Sequence, residues 1–314
     1  MRIATHSYAE AMVDQYNLLS SKQYSLQNQT STGLRIQSAS DDPTAMQNTL
    51  DYVANKASQK QYSANIETLK TRGNAIYNAL QSLQTISSRV GEITTAAGDP
   101  TLNKTSQTNY ANEVDSLIEQ TIKVANTKDA GTGQYLFGGT ASTQTPYTAV
   151  TDANGKITGV TYNGNSNVNQ VAVGEGSTTT VDIPGANTSS SGTRGLITDS
   201  QSGADLLNHL ISLRDNLTAG NTTAITATDS ANLQKDENNL SYQIANNGVA
   251  QNRLNAAATF ATNNSTSLST MISNQSSADT VATLVALNAT QTAYQAALQS
   301  GSKILSLSIL NYIS

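Results

Sequence analysis

Apolar residues recur at alternating spacings of three and four along most of this chain, which is the pattern of helices that pack along a shared seam. The clearest track runs over residues 62–90, and we predict one long helix around it. We place its start near Asp42-Pro43, because aspartate caps free N–H groups and proline is tolerated at the first helical position. We place its end near Gly98-Asp99-Pro100. The apolar members of the track are Tyr62, Ile66, Leu69, Ile76, Leu80, Leu83 and Val90.

The same spacing predicts a second helix over residues 106–129 and another over residues 204–217. The longest track begins after Ser230 and contains no proline, which permits a very long helix. Polar residues interrupt it at Glu237, Asn247, Gln251 and Ser265, and we expect them to fix the register at some cost in stability. Its apolar members are Leu233, Leu240, Ile244, Leu254, Ala258, Ala261, Leu268 and Ile272.

Both ends of the chain carry helical tracks with little charge. Residues 280–314 contain a single charged side chain, Lys303, and residues 4–33 repeat the spacing more weakly. Such helices are poorly solvated alone, so we predict that they pack together and into neighbouring subunits, although two ordinary core helices would give a similar pattern. The predicted assembly interface comprises Tyr8, Met12, Leu19, Leu26, Leu284, Leu287, Tyr294, Leu298, Leu305 and Tyr312.

Between residues 132 and 195 the helical period gives way to alternation. Asn154-Gly155 separates residues 147–150 from residues 157–162 and is typical of a hairpin turn. A second strand pair is predicted over residues 168–173 and 178–183, on either side of Gly174-Glu175-Gly176. These strands predict a small β domain inserted between two helical halves.

The predicted fold is therefore mainly α, with long antiparallel helices from both chain ends forming a coiled-coil-like rod and one small inserted β domain. We divide the chain into three parts. Residues 1–41 with 274–314 form a terminal helical inner domain, residues 42–131 with 196–273 a helical rod domain, and residues 132–195 the β domain.

Composition excludes several classes of function. Only 12% of the 314 residues are charged and 5% are aromatic, and the formal net charge is −5. No run of lysine and arginine interleaved with aromatic residues offers a track for nucleic acid phosphates. The most apolar stretch is too short and too often broken by polar residues to insert in a membrane. Residues 1–11 lack the pattern of a secretory signal peptide, so we expect any export to use another route.

The sequence offers no catalytic, cofactor or metal site. Cysteine is absent, and the two histidines, His6 and His209, belong to no recognisable triad or metal pair. We expect both histidines at the surface. The adjacent carboxylates Asp41 and Asp42 are interpreted as helix caps. Gly138-Gly139 lacks the lysine of a phosphate loop and is interpreted as a close backbone turn.

Several motifs, in order from the N-terminus to the C-terminus, together resemble one family. They are Met1-Arg2-Ile3, Ser31-Thr32-Gly33-Leu34-Arg35-Ile36, Ser40-Asp41-Asp42-Pro43, Gly133-Gln134-Tyr135-Leu136-Phe137-Gly138-Gly139-Thr140, Tyr294-Gln295-Ala296-Ala297-Leu298, and Leu305-Ser306-Leu307-Ser308-Ile309-Leu310. The chain thereby resembles the hook-associated branch of the bacterial flagellin family. Filament flagellins usually carry alanine after the paired aspartates, where this chain has Pro43.

The resemblance implies a mechanical role in the extracellular flagellum, at the junction of hook and filament. It implies as partners copies of this chain in a ring, the hook protein or another hook-associated junction protein, flagellin, and a cytoplasmic export chaperone at the C-terminal helix. Secretion would pass through the flagellar type III export channel. A filament subunit is the alternative, and a flagellin-like scaffold with a ligand-binding or enzymatic β insertion is a remote one.

Overall fold

A computed structural model describes the backbone of residues 2–313 and the side chains of residues 10–303. The chain divides into two compact units. The first comprises Met1–Gln59 and Asn263–Ser314, and the second comprises Lys60–Thr262. The finer division into three domains stays a prediction.

Long helices dominate the structure, which confirms the mainly α fold. Helix α6 directly follows a π-helical turn, Ile225–Asp229. Pro43 begins α2, as the sequence predicts, and Asp42 Oδ1 accepts a 3.0 Å hydrogen bond from the backbone N–H of Ala45. The helices are α1 (Arg2–Thr32), α2 (Pro43–Ala97), α3 (Lys104–Ala125), α4 (Leu206–Ala219), α5 (Thr222–Ala224), α6 (Ser230–Ser276) and α7 (Thr280–Ile313).

The strands form three small sheets. The predicted hairpin at Asn154-Gly155 is present, and its strands β1 (Tyr147–Thr151) and β2 (Ile157–Tyr162) pair antiparallel. The second predicted pair is also present but shorter, as β3 (Val171–Gly174) and β4 (Ser177–Thr179). The third sheet was not predicted, because its strands are two residues each: β5 (Ala186–Asn187), β6 (Thr198–Asp199) and β7 (Ala204–Asp205).

The core of the second unit lies along the predicted tracks. Leu80 and Leu83 of α2, Val114 and Ile118 of α3, and Leu210 of α4 are each 0% exposed. The three-four spacing therefore identified the buried faces of these helices correctly. Leu254 completes the core from α6.

Replacing Leu80 with alanine should lower the free energy of unfolding of this unit by about 2–5 kcal/mol, the usual cost of a cavity at a fully buried leucine. Urea denaturation of the purified chain measures it. Asn78→Ala, two residues away on the exposed face of the same helix, is the matched control and should change stability by less than about 0.5 kcal/mol. Equal effects of the two substitutions would contradict the burial of Leu80.

Arg72 of α2 anchors the inserted segment near both of its ends. Its guanidinium forms an ion pair with Asp182 and lies 3.6 Å from Asp129. It also donates a hydrogen bond to the Leu136 carbonyl at 3.4 Å. All three charged side chains are largely buried, so the pairing fixes where the insertion begins and ends on the helical layer.

Helix α6 presents a buried polar stripe to the same region. Asn239 donates to the carbonyls of Gly195 and Leu196 at 2.9 and 3.0 Å, and Gln243 donates to the Gly195 carbonyl at 3.2 Å. The sequence tracks identified the buried Asn247 but missed Asp236, Asn239 and Gln243, which are each 1% exposed. Asn239 and Gln243 satisfy backbone carbonyls of an irregular segment, and Asp236 satisfies a backbone N–H of β7.

Candidate assembly interface

Helices α1 and α7, which carry the predicted interface, pack against each other in the first unit. The side chains turned inward follow a strict three-four spacing on both helices. On α1 they are Met12, Tyr16, Leu19, Gln23, Leu26 and Thr30, and on α7 they are Thr283, Leu287, Thr290, Tyr294, Ala297 and Gly301. Large side chains such as Leu19, Leu26 and Leu287 alternate in this seam with small and polar residues, so apolar contact and close backbone approach both contribute to the packing.

Tyr16 is central to this seam. Its ring meets that of Tyr294 edge to face, with 6.3 Å between centroids, and its hydroxyl donates a 2.8 Å hydrogen bond to the Ala297 carbonyl. A methyl group at Gly301 would overlap the Tyr16 hydroxyl and lie 2.9 Å from Met12 Cε. Only glycine therefore permits this approach at position 301.

The links between the helices also pair with each other. The N–H of Arg35 donates to the Ser276 carbonyl at 2.7 Å, and the N–H of Ala278 donates to the Gly33 carbonyl at 2.9 Å. The Arg35 guanidinium adds a 3.0 Å bond to the Gln275 carbonyl. The motif that includes Gly33 and Arg35 thus joins the α1–α2 link to the α6–α7 link.

Gly33 and Asp41 determine the conformation of the link between α1 and α2. Gly33 has a φ of +69°, a conformation that favours glycine and ends α1. Asp41 Oδ2 accepts the backbone N–H groups of Gln37 and Ser38, both at 2.9 Å, and these two bonds lower the pKa of Asp41. The capping interpretation is confirmed for Asp42, which caps α2, but it is wrong for Asp41, which instead binds N–H groups of the link that precedes it.

The predicted interface residues fall into two groups. Leu287 is buried, and Met12, Leu19, Leu26 and Tyr294 are partly buried in the α1–α7 seam. Leu284 and Leu298 instead lie outside the seam, with exposed fractions of 49% and 45%. The side chains of Tyr8, Leu305 and Tyr312 lie outside the described residues. Assembly contacts by any of these side chains stay a prediction.

Exposed large apolar side chains are concentrated in the first unit. Among the side chains that the structure describes, eleven of the sixteen lie there, although it is the shorter unit. Contiguous exposed apolar surface marks interaction sites, and Val281, Leu284 and Val285 are neighbours on one face of α7. The eleven are Val13, Leu18, Tyr24, Leu34, Leu50, Val53, Met271, Val281, Leu284, Val285 and Leu298.

Sequence reasoning missed Gly301 because it followed large apolar residues, and it missed Tyr16 because it placed Gln15 between Met12 and Leu19 in the seam. The available signal was the three-four recurrence of threonine, alanine and glycine along α7.

The expectation of a surface position for His209 was wrong, since its side chain is 16% exposed and is hydrogen-bonded to the buried Asp236. The side chain of His6 lies outside the described residues.

Within the residues that the structure describes, no helix combines the length and apolar character needed to cross a membrane. Over the same residues, no group of histidine and acidic side chains has the arrangement of a metal site.

Residues 3–142 match the family described as the bacterial flagellin N-terminal helical region. Over these residues the sequence is similar to that of flagellins. No curated protein sequence matches it.

Among solved structures, this chain is similar in fold to flagellar hook-associated proteins. One, from Vibrio parahaemolyticus, is described as flagellar hook-associated, with 20% identity, a TM-score of 0.64, and coverage of 76% of this chain and 100% of the other. Flagellar hook-associated protein-3 from Legionella pneumophila has 15% identity, a TM-score of 0.59, and coverage of 71% and 97%. The flagellar junction protein from the same organism has 14% identity, a TM-score of 0.51, and coverage of 66% and 99%. The fold of this chain is that of these structures, which is the fold that the sequence resemblance implies.

Proposed function

We propose that this chain is a structural subunit of the bacterial flagellum that joins hook to filament by helix–helix packing with neighbouring subunits. It works mechanically and carries no enzymatic activity. The flagellin-like sequence over residues 3–142 and the hook-associated fold support this proposal.

The observation that carries the proposal is the concentration of exposed apolar side chains in the unit built from both chain ends. An isolated soluble protein gains nothing from exposing Val281, Leu284 and Val285 on adjacent turns of one helix. Subunits packed side by side would remove these surfaces from water and gain about 25 cal/mol for each Å² buried.

The proposed partners are copies of this chain in a ring, the hook protein or the other hook-associated junction protein on one side, and flagellin on the other. A cytoplasmic export chaperone is proposed for the C-terminal helix, whose sparse charge invites premature association. The proposed location is extracellular, at the hook–filament junction, after type III export. No contact with nucleic acid and no membrane insertion is proposed.

An antibody against residues 132–195, imaged on intact flagella by electron microscopy, tests the location. A single band where hook meets filament is the expected result. Label along the whole filament would make the chain a filament flagellin, and absence of label from flagella would overturn the proposal. A ligand-binding or enzymatic insertion on this scaffold remains the remote alternative.

Removal of residues 304–314 should abolish both chaperone binding and incorporation into flagella, because the C-terminal helix loses part of its predicted interface. Co-purification with the chaperone and fractionation of flagella measure these effects. Hydrogen exchange of residues 60–262 in the shortened chain should stay unchanged, which separates loss of assembly from unfolding. Normal incorporation of the shortened chain would contradict the role of this segment.

A further inference from the structure

A buried histidine–carboxylate pair connects the third sheet to α6. The Nδ1–H of His209, in the first turn of α4, donates to Asp236 Oδ2 at 2.7 Å. The other carboxylate oxygen of Asp236 accepts the backbone N–H of Asp205, in β7, at 2.8 Å. Asp236 is 1% exposed, so one desolvated carboxylate holds both the strand and the helix that follows it.

We propose that His209 and Asp236 form a pH-sensitive latch, which holds β7 and the start of α4 against α6 more tightly in acidic than in alkaline solution. Protonated His209 gives the buried carboxylate a full counter-charge, whereas neutral His209 leaves it with hydrogen bonds alone. A buried anion is costly without an opposite charge. Because β5 belongs to the inserted segment and shares a sheet with β7, the latch also controls how firmly the base of the insertion is held.

The charged groups around the His209 ring favour a tighter latch in acidic solution. Burial lowers the pKa of His209, but the hydrogen bond and the charge of Asp236 outweigh it, so the pKa of His209 is raised overall above 6.5. Asp205, on β7, raises the pKa further, and Lys235, on α6, lowers it. Burial also raises the pKa of Asp236, against the opposing effect of His209.

Both shifts have the same consequence for stability. A raised histidine pKa contributes stabilisation that is complete below the unfolded pKa, about 6.5, and is lost as pH rises through the folded pKa. A raised aspartate pKa also makes stability fall as pH rises, but it does so at acidic pH, where aspartates titrate. The latch is therefore tightest where His209 is protonated, and it weakens as pH rises through the raised pKa of His209.

Hydrogen exchange of the Asp205 amide in the full chain, corrected for intrinsic rates, tests the latch directly. Protection should fall between pH 6 and pH 9 by about tenfold for each unit by which the pKa of His209 exceeds its unfolded value. The substitution His209→Gln should remove this difference, because glutamine does not titrate. His6→Gln is the matched control at the other histidine and should leave the difference intact.

An NMR titration of the His209 ring in the unmodified chain keeps the test independent of how the variants fold. It should place the pKa of His209 above 6.5, and Asp236→Asn should bring it down. A pKa at or below 6.5, or a pH difference that survives in His209→Gln, would overturn the latch.

Discussion

Replacing Gly301 with valine is expected to separate α1 from α7 and to abolish incorporation into flagella. A side chain at this position would occupy the space of the Tyr16 hydroxyl, and so break its 2.8 Å bond to the Ala297 carbonyl. Overpacking of a fitted contact usually costs about 1–3 kcal/mol. Here loss of the Tyr16 hydrogen bond adds to that cost, so we expect loss of the pairing.

Hydrogen exchange along α1 and α7 in the purified chain measures the effect, with protection lost in both helices and retained in the second unit. Gly248→Ala is the matched control, because Gly248 is also a helical glycine but has open space at its Cβ position. It should be neutral or stabilise α6 by up to about 1 kcal/mol. Unchanged exchange in Gly301→Val would mean that α1 and α7 do not pack as described.

The sequence predicts the helices well wherever the local chemistry is explicit. Asp42-Pro43 marks the start of α2 through a cap and a permitted proline, and Asn154-Gly155 marks the β1–β2 hairpin. Both signals depend on a few neighbouring residues, so no tertiary information is needed to interpret them. The core track through Leu80 is equally local, since one helix face repeats its apolar residues along the chain.

Contacts between residues that are far apart in sequence are harder to predict from local patterns. The α1–α7 seam depends on Gly301 meeting Tyr16 across the unit, and hydrophobicity does not distinguish that glycine from one at a turn. His209 and Asp236 are 27 residues apart in sequence, and only the packing of α4 on α6 joins them. The polar stripe of α6 is not predicted for the same reason. Asn239 is buried against a segment that is distant in sequence, and its side chain binds backbone carbonyls there.

The apolar spacing on α7 predicts the helix correctly but does not predict which of its apolar residues are buried within the chain. Leu284 and Leu287 lie three positions apart on α7, yet the first is 49% exposed and the second 8%. The spacing of large apolar residues does not distinguish residues that pack within one subunit from exposed residues that would contact another subunit. Burial in the structure separates them, and directs the assembly test to Leu284 and Leu298.

The double substitution Leu284→Asp with Leu298→Asp is expected to abolish incorporation into flagella without unfolding the chain. Both side chains are about half exposed in the single chain, so a carboxylate there remains hydrated. Between packed subunits the same carboxylates would be desolvated without a partner, and each lost leucine contact removes about half of the roughly 1.5–3 kcal/mol that full burial of a leucine contributes. Because every subunit of a ring carries both changes, the penalty recurs at each contact.

Fractionation of flagella measures incorporation of this double variant, and urea denaturation of the purified chain measures its stability. Val150→Asp is the matched control, since Val150 is 48% exposed but lies on the β1 hairpin of the second unit. It should leave incorporation intact. If the double variant assembles as well as Val150→Asp does, the exposed face of α7 is not an assembly surface, and the subunits must join through other exposed apolar residues of the first unit, such as Leu50 and Val53 on α2.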